Sequence, residues 1–286
     1  GVYAASIVAF LAALAAHVPV RGWDHWIESY MPVAAPQERP EERFRLVMEL
    51  HLAGLIRQGV TYTELMLAGL LRGEVPEVVD RVRAFRAAAD RSSGDALRTE
   101  FLVCVHRGRP ERAGELGRKT VALVAAGLVA GVSIAGDERA CSVREWRGFL
   151  DQAREAGLGV EIHAGEMAGP DSVRDALQHG APDRLGHGVR AFEDPELVAE
   201  VMDRGIHVEF CPSSNVCLGV VSSIAAHPIG RARDLGMDFG INTDDPGPFG
   251  CTLESEYALL ERTFGFTPED FARANANAWR ARFGGR

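Results

Sequence analysis

Seven short apolar segments, separated by helical stretches, constrain the fold of this chain more than any other feature. They predict strands at residues 60–65, 100–106, 130–135, 159–163, 183–186, 207–211 and 237–241. Most of them are rich in Val, Ile, Leu or Phe without strict polar alternation, which is typical of parallel strands covered on both faces. Repeated strand–helix units build either an open doubly wound sheet or a closed barrel, both of the α/β class.

Helix-start signals lie between the predicted strands. Ser142 with Glu145 predicts a capping box, and Asp194 before a proline predicts an N-cap. Thr267 before a proline opens the last helix in the same way. Each signal supports a helix between or after strands, as the strand–helix repeat requires.

The ends of the predicted strands decide between sheet and barrel. No G-x-G-x-x-G or P-loop follows any of them, which removes the usual reason for an open nucleotide-binding sheet. Polar residues collect at these ends instead: Glu64, Arg107, Asp137, His163, Glu166, His187, Ser213, Asn215, Asp244 and Asp245. Only a closed barrel brings so many strand ends to one mouth. We therefore expect a (β/α)8 TIM barrel whose first strand is missing from this chain.

The domain organisation follows from that fold. We expect residues 1–286 to form a single, N-terminally incomplete barrel domain, with a helical region at 1–58 and strand–helix units at 59–286. Residues 2–16 are almost wholly apolar, but a membrane span needs about 20 such residues, so they predict a packed helix. The chain opens on Gly1 rather than Met, so the missing strand is expected upstream.

Charge and cysteine content narrow the function classes. The net charge is −9 and no basic tract interrupts it, which argues against a nucleic-acid partner or an anionic membrane surface. The five cysteines are odd in number and form no C-x-x-C pair, which is typical of a reducing compartment. We expect a cytoplasmic protein that acts on a small molecule.

Asp244 and Asp245 are adjacent carboxylates just after the last predicted strand, and Pro246 follows them. Burying two like charges side by side is costly, because each raises the pKa of the other. A metal ion or a substrate would neutralise such a pair, although a solvated turn is the better explanation of these three residues taken alone. The neighbouring strand ends favour the functional interpretation.

Two of these ends carry histidines. His163 and Glu166 are three residues apart, and Gly165 allows the turn that points both into one mouth, which makes them metal and acid–base candidates. Glycines flank His187, whose imidazole is suited to deprotonating a metal-bound water near neutral pH. Gly136 ends another strand and could present its N–H to a flat ligand, or simply form a turn. Ordinary structural roles explain four of the remaining histidines: His51, His179, His207 and His227. No partner can be named for His17, His25 or His106, and we assign none of these seven to a metal.

Four segments, residues 163–166, 184–188, 211–215 and 242–246, resemble in order and spacing the adenosine deaminase family of the amidohydrolase superfamily. Residues 136–138 and 26–32 resemble further family segments. The resemblance implies a metal-dependent (β/α)8 barrel with one Zn²⁺ per chain. It implies these roles: His163 and Asp244 as zinc ligands, Glu166 as proton donor to purine N1, His187 as the group that orients or deprotonates the attacking water, Asp245 as a hydrogen-bond partner of N7, and the N–H of Gly136 near N3.

One family feature has no counterpart in this chain. The family's first strand ends in His-x-His, which supplies two more zinc ligands, and no His-x-His occurs here. Because a zinc site needs at least three protein ligands, we expect the remaining two upstream of Gly1.

The implied function is zinc-dependent hydrolytic deamination of a 6-aminopurine nucleoside, with adenosine converted to inosine and ammonia. Residues 249–257 also resemble aminodeoxyfutalosine deaminases, and adenine deaminases share the same barrel, so both stand as alternatives. A metal-free purine-binding protein without catalysis is an alternative of another class. Lactone or phosphoester hydrolysis on the same barrel is a third, which the Glu166 spacing disfavours.

Overall fold

The computed structural model describes residues 40–67 and 69–285. Seven strands lie in this part of the chain: β1 (Tyr62–Met66), β2 (Arg98–His106), β3 (Gly131–Ala135), β4 (Gly159–Ala164), β5 (Arg184–His187), β6 (His207–Phe210) and β7 (Phe239–Ile241). All seven predicted strands are confirmed, with boundaries shifted by two residues or fewer.

Helices separate and follow the strands. They are α1 (Pro40–Arg57), α2 (Val75–Ser93), α3 (Ala113–Ala125), α4 (Arg147–Glu155), α5 (Pro170–Asp175), α6 (Pro195–Asp203), α7 (Pro212–Cys217), α8 (Ile229–Leu235), α9 (Pro246–Phe249), α10 (Leu253–Phe264) and α11 (Pro268–Ala281). Short 3₁₀ turns lie at Pro110–Arg112, Val143–Trp146, Val189–Glu193 and Ile224–Ala226, and a π turn lies at Ala176–Gly180.

The strand order is the sequence order. Each strand pairs in parallel with the next, from β1 through β7, in one sheet. A doubly wound sheet would reverse its order at a switch point, so this unbroken order is that of a (β/α)8 barrel. All carboxyl ends of the strands therefore lie on the same side, where the polar residues were expected.

The core lies between the sheet and the surrounding helices. Trp146, Phe149, Leu150 and Ala153 form the predicted apolar stripe and are each at most 1% exposed. Burying a large apolar side chain contributes about 1.5–3 kcal/mol relative to exposure, so this stripe contributes strongly to holding the helix on the barrel.

The predicted helix caps are formed in two of three cases. The Asp194 carboxylate accepts from backbone N–H groups at the start of α6, and Thr267 forms a capping box with Asp270 at α11. Ser142 differs, because its hydroxyl oxygen accepts from the N–H of Arg144 and begins a 3₁₀ turn before α4. The hydroxyl also donates to Asp175, 2.5 Å away, so a tertiary contact takes the place of the capping box predicted with Glu145.

An ion cluster fills the interior near the amino-terminal ends of the strands. Arg184 at the start of β5 contacts Glu64 of β1 at 2.7 Å, Glu161 of β4 at 2.8 Å and Glu209 of β6 at 3.4 Å. The ring of Phe283 lies 3.6 Å from its guanidinium carbon. We call these five residues the Arg184 cluster. The expectation that Glu64 lines the mouth is wrong, since its carboxylate points into this cluster.

Phe283 fits between two strands because both carry glycine at the contact. Gly131 and Gly159 are paired neighbours on β3 and β4, and a Cβ on either would lie within 2.3 Å of the ring. The backbone N–H of Phe283 donates to Glu64, at 2.6 Å. The segment after α11 thus closes the amino-terminal end of the described barrel.

Several expectations fall outside the described residues. The apolar helix predicted at 2–16 and the segment 26–32 lie there, so the assignment of residues 1–286 to a single domain stays a prediction. Of the helices in the described ranges, none has the length and apolar character needed to cross a membrane.

Candidate active site

The carboxyl ends of the strands bring the predicted site residues together in two overlapping groups. Potential ligand atoms of His163, Glu166 and His187 lie within 4.8 Å of one another, and so do those of His187, Cys211 and Asp244. His187 belongs to both groups. The mouth of the barrel therefore contains one continuous site, with Cys211 as a member that the sequence did not single out.

His163 ends β4 with both ring nitrogens engaged. Its Nδ1 lies 3.2 Å from His187 Nε2, and its Nε2 lies 3.5 Å from the carboxylate of Glu161. The position paired with it on β5 is Gly186, where a Cβ would come within 2.7 Å of the ring. Burial alone would lower the pKa of His163, but the carboxylates of Glu161, Glu166 and Asp244 outweigh it and raise that pKa to about 9.

Glu166 is held by its backbone. The carboxylate of Glu138 accepts from the N–H groups of Gly165 at 2.8 Å, Glu166 at 2.7 Å and Met167 at 3.0 Å. Three such bonds fix the turn after β4, so the Glu166 side chain enters the mouth in one orientation. Burial and the nearby charge of Asp244 raise the pKa of Glu166 to about 8, as the sequence predicts.

His187 ends β5 in the left-handed region, with φ of 64°. Such backbone conformations are costly for a residue with a side chain, and they concentrate at functional sites. Its Nε2 lies 3.5 Å from the Glu166 carboxylate, and its Nδ1 lies 3.1 Å from the amide nitrogen of Asn215. Burial, followed by the nearby charge of His163, lowers the pKa of His187 to about 4.

Asp244 also has a left-handed backbone, with φ of 56°. The hydroxyl of Ser214 donates to its carboxylate at 2.7 Å. Asp245 begins α9 and is exposed at the mouth. Desolvation by the surrounding protein and the adjacent charge of Asp244 raise the pKa of Asp245 despite that exposure. Asp244 and Asp245 therefore lie side by side at the mouth as expected, but both residues are exposed, so the burial that would make the pair costly is not found.

Gly136 follows β3 with φ of 96°, and a Cβ at this position would lie 3.1 Å from the His106 ring.

Arg107 does not supply a charge to the mouth. Its guanidinium is 1% exposed and donates to the backbone carbonyls of His163 and Cys141 and to Asp175. It supports the backbone of His163 from behind. Asp137 pairs with Arg139 and belongs to neither ligand group.

Sequence reasoning placed Asn215 at the mouth without giving it a role, and it missed three further polar residues that support the site: Glu138, Glu161 and His227. Glu161 carried a signal, because a charge inside the apolar segment Val160–Ile162 needs a buried partner. His227 gave none, since His before Pro is an ordinary helix start, yet it is 3% exposed and bonded to Asn215 at 3.1 Å.

The donor set fits a zinc ion. Zinc in proteins takes imidazole nitrogen, thiolate sulfur and carboxylate oxygen, and these are the groups that converge here. The negative field that favours a proton on His163 favours any cation at the same place. The described residues thus suit a metal at the mouth.

Comparison with known proteins agrees with this geometry. The sequence profile of the family described as adenosine deaminase matches residues 7–284. An adenine deaminase from Rhizobium meliloti (strain 1021) is 36% identical over 251 residues, which cover 86% of this chain and 76% of the relative.

Solved structures share the fold. The adenine deaminase from Arthrobacter aurescens has a TM-score of 0.81 at 23% identity and covers 96% of this chain and 89% of its own. An amidohydrolase from Burkholderia ambifaria with bound zinc has a TM-score of 0.73 at 22% identity, covering 85% and 69%. Both likenesses support the barrel architecture.

Proposed function

The chain belongs to the adenosine deaminase family and is a hydrolytic deaminase, and from this premise we propose that it removes the 6-amino group of adenine. From the sequence, adenosine is the expected substrate. We propose adenine, its stated alternative, because the 36% identical relative is an adenine deaminase. The observation that carries the reaction type is the convergence of His163, Glu166 and His187 within 4.8 Å at the barrel mouth. An acid, a metal ligand and a water-orienting group at one point suit hydrolysis at an aromatic C–N bond.

We propose that His163 and Asp244 hold a zinc ion, together with further ligands from outside the described residues. When bound, zinc supplies the Lewis acidity that activates water near neutral pH. The close approach of His163 to Gly186 keeps its ring fixed, and the Ser214 hydroxyl fixes the Asp244 carboxylate.

Glu166 is the proposed proton donor to N1 of the purine. A purine ring resists attack at C6 until a ring nitrogen is protonated, so the donor must hold its proton at neutral pH. Glu166 is 4% exposed, and its environment favours the protonated form. Glu138 sets its direction through the three backbone bonds described above.

The remaining proposed roles are contacts to the attacking water and to the edge of the flat purine ring. His187 orients or deprotonates the attacking water, Asp245 hydrogen-bonds N7, and the N–H of Gly136 approaches N3. Asp245 is suited to N7, an acceptor, because its raised pKa favours a carboxyl O–H that can donate. These contacts hold the purine ring, and the loops of the mouth contact whatever group N9 carries.

A cytoplasmic location remains part of the proposal. All five cysteines are free, which supports a reducing compartment.

The test is ammonia release by the full-length, zinc-loaded protein from adenine, adenosine and aminodeoxyfutalosine. We expect adenine to have the highest kcat/KM, by about 100-fold or more. A nucleoside carries an added group that a site built for adenine does not accommodate, and its transition state is then bound less tightly by several kcal/mol. Faster release from either nucleoside would replace adenine with that substrate. Purine binding without turnover, in a protein that takes up no zinc, would favour the metal-free binding alternative.

A further inference from the structure

A chain of three buried side chains leads from α8 to His187. The backbone N–H of Ile229 donates to His227 Nδ1 at 3.1 Å. His227 Nε2 lies 3.1 Å from Asn215 Oδ1, and Asn215 Nδ2 lies 3.1 Å from His187 Nδ1. His187, Asn215 and His227 are each at most 3% exposed, so water does not compete for these hydrogen bonds.

The direction of every bond in this chain is set by its first donor. A backbone N–H can only donate, so His227 Nδ1 is the acceptor and the neutral ring carries its proton on Nε2. That Nε2–H donates to the carbonyl oxygen of Asn215. The amide nitrogen of Asn215 therefore faces His187, and it too can only donate. His187 Nδ1 is thus an acceptor, and the neutral imidazole carries its proton on Nε2.

The opposite direction cannot be satisfied. If the Asn215 amide were turned over, its nitrogen would donate to His227 Nε2 while Ile229 donated to His227 Nδ1. The His227 ring would then bear no proton at all, which a neutral imidazole cannot do. Otherwise two donors would face each other in a buried place, which is unfavourable because neither would find an acceptor.

We propose that Asn215 and His227 are positioning residues that hold His187 as its Nε2–H tautomer, so that His187 acts as a hydrogen-bond donor. This rests on the proposed deamination and narrows one of its steps. Of the two roles implied for His187, orienting the water and deprotonating it, the tautomer permits the first and opposes the second. The His187 Nε2 lies 3.2 Å from His163 Nδ1 and 3.5 Å from Glu166, where the two ligand groups overlap. As a zinc ligand His163 would be neutral rather than protonated, so its ring would not present a second donor to the His187 Nε2–H.

Asn215→Asp tests the proposal with almost no change of shape. A carboxylate accepts from His227 Nε2–H and equally from His187, which draws the His187 proton to Nδ1 and leaves Nε2 bare. We expect kcat to fall about 100-fold or more while KM changes less than about threefold, because one donor to the reacting groups is lost. Asn277→Asp is the matched control, since that buried amide only accepts from Arg280 on α11; it should leave kcat unchanged.

A readout independent of activity is the ¹⁵N NMR of the His187 ring in the full-length, zinc-loaded protein, assigned by loss of its signals in His187→Gln. The wild type should show a protonated Nε2 and a bare Nδ1, and Asn215→Asp should reverse them with zinc stoichiometry unchanged. Because the tautomer is read without substrate, failure of the proposed function would show as absent turnover with the tautomer still in place.

Two replacements of His227 separate the relay from simple packing. His227→Gln places an amide N–H where Nε2 was and can still donate to Asn215, so we expect kcat within about tenfold of wild type. His227→Leu fills similar space without a donor and should lose activity as Asn215→Asp does. A wild-type His187 with its proton on Nδ1, or equal activity of the Gln and Leu variants, would overturn the proposal.

Discussion

Glu166 shows how one residue is made an acid by its neighbours. Its side chain is buried beside Asp244, so ionising it would place a second negative charge in a place that water cannot reach. Glu138 holds the backbone of the same turn, which prevents the carboxyl from moving out to solvent. The raised pKa of Glu166 therefore results from its position in the turn after β4.

At this scale, Glu166→Gln should abolish most turnover. The amide has the same shape but no proton to give to N1, and general acid catalysis contributes about 10²- to 10⁴-fold. We expect kcat to fall within that range with little change in thermal stability, measured by ammonia release and by calorimetry. Glu200→Gln on the exposed face of α6 is the control and should match wild type. Near-normal turnover of Glu166→Gln would remove it from the proton-donor role.

His227 predicts a pH dependence of stability. Burial and the neighbouring His187 lower its pKa to about 3, against an ordinary value of 6.5 in the unfolded chain. The stabilisation is complete above pH 6.5 and is lost as pH falls toward 3, because the unfolded state takes up a proton that the folded state refuses. Between pH 8 and pH 5 this group should remove about 2 kcal/mol of the free energy of unfolding.

Urea unfolding at the two pH values measures this loss. His227→Gln has no titrating ring, so its own loss over the same interval should be smaller by about that amount. Equal losses in the two proteins would show that His227 is not the group responsible.

At the scale of the elements, the strands were predictable and several of their contacts were not. Apolar segments with little alternation marked most of the strands, because a strand covered on both faces has little room for polar side chains. The charged residues inside strands have partners on other strands, and Glu161 of β4, for example, contacts Arg184 of the next strand and His163. Local sequence predicts where a strand lies, whereas the partner of a buried charge depends on the register between strands.

The same limit applies to the site. His163, Glu166, His187 and Asp244 were predictable because each follows a strand, and strand ends of a barrel converge. Asn215 was expected at the mouth for the same reason, but its link to His227 was not predictable, since that link is a path of hydrogen bonds joining α7 to α8 across the fold. The spacing of these residues in the sequence does not indicate such a path.

The contact between β3, β4 and Phe283 allows a sharp test at this scale. In Gly159→Ala the added Cβ would lie 2.1 Å from the Phe283 ring, so we expect a loss of about 2 kcal/mol from overpacking. Phe283→Ala should cost about 3 kcal/mol through the cavity it leaves. The double variant should cost no more than Phe283→Ala alone, because the clash is gone.

Denaturant unfolding of the four proteins gives the coupling energy. Gly148→Ala in α4 is the control for adding a methyl group, since nothing lies within 4 Å of the new Cβ; it should not destabilise. Strictly additive losses in the cycle would show that Gly159 and Phe283 do not share this space.

At the scale of the whole molecule, the Arg184 cluster joins four strands through the interior. One guanidinium serves three carboxylates from β1, β4 and β6, so the charges do not balance if all are ionised. Burial and the neighbouring charge of Glu161 raise the pKa of Glu209 well above its usual range despite the opposing effect of Arg184. Burial would also raise the pKa of Glu161, but Arg184 and His163 outweigh it and lower that pKa. The cluster thus keeps one carboxyl protonated and another ionised.

Arg184→Met should destabilise the molecule by about 3–5 kcal/mol at pH 8, because buried carboxylates lose their cation. Without the cation the pKa of Glu161 rises above the unfolded value near 4.3, where that of Glu209 already lies, so the penalty grows as pH rises and shrinks as pH falls. Urea unfolding at pH 8 and pH 5.5 should show part of the loss recovered at the lower pH. A pH-independent loss would mean that packing on Phe283, rather than charge, is what Arg184 contributes.

The position of Phe283 in the sequence has a consequence for how the protein is made. Every described strand is synthesised before Phe283, yet this residue covers the guanidinium in the barrel interior and its N–H reaches Glu64 of β1. During translation the strands can pair in order as they emerge, but the amino-terminal end of the barrel remains open to water. We therefore expect the Arg184 cluster to stay hydrated while the strands are synthesised, and its charges to enter the dry interior only after the segment that carries Phe283 has emerged and packed.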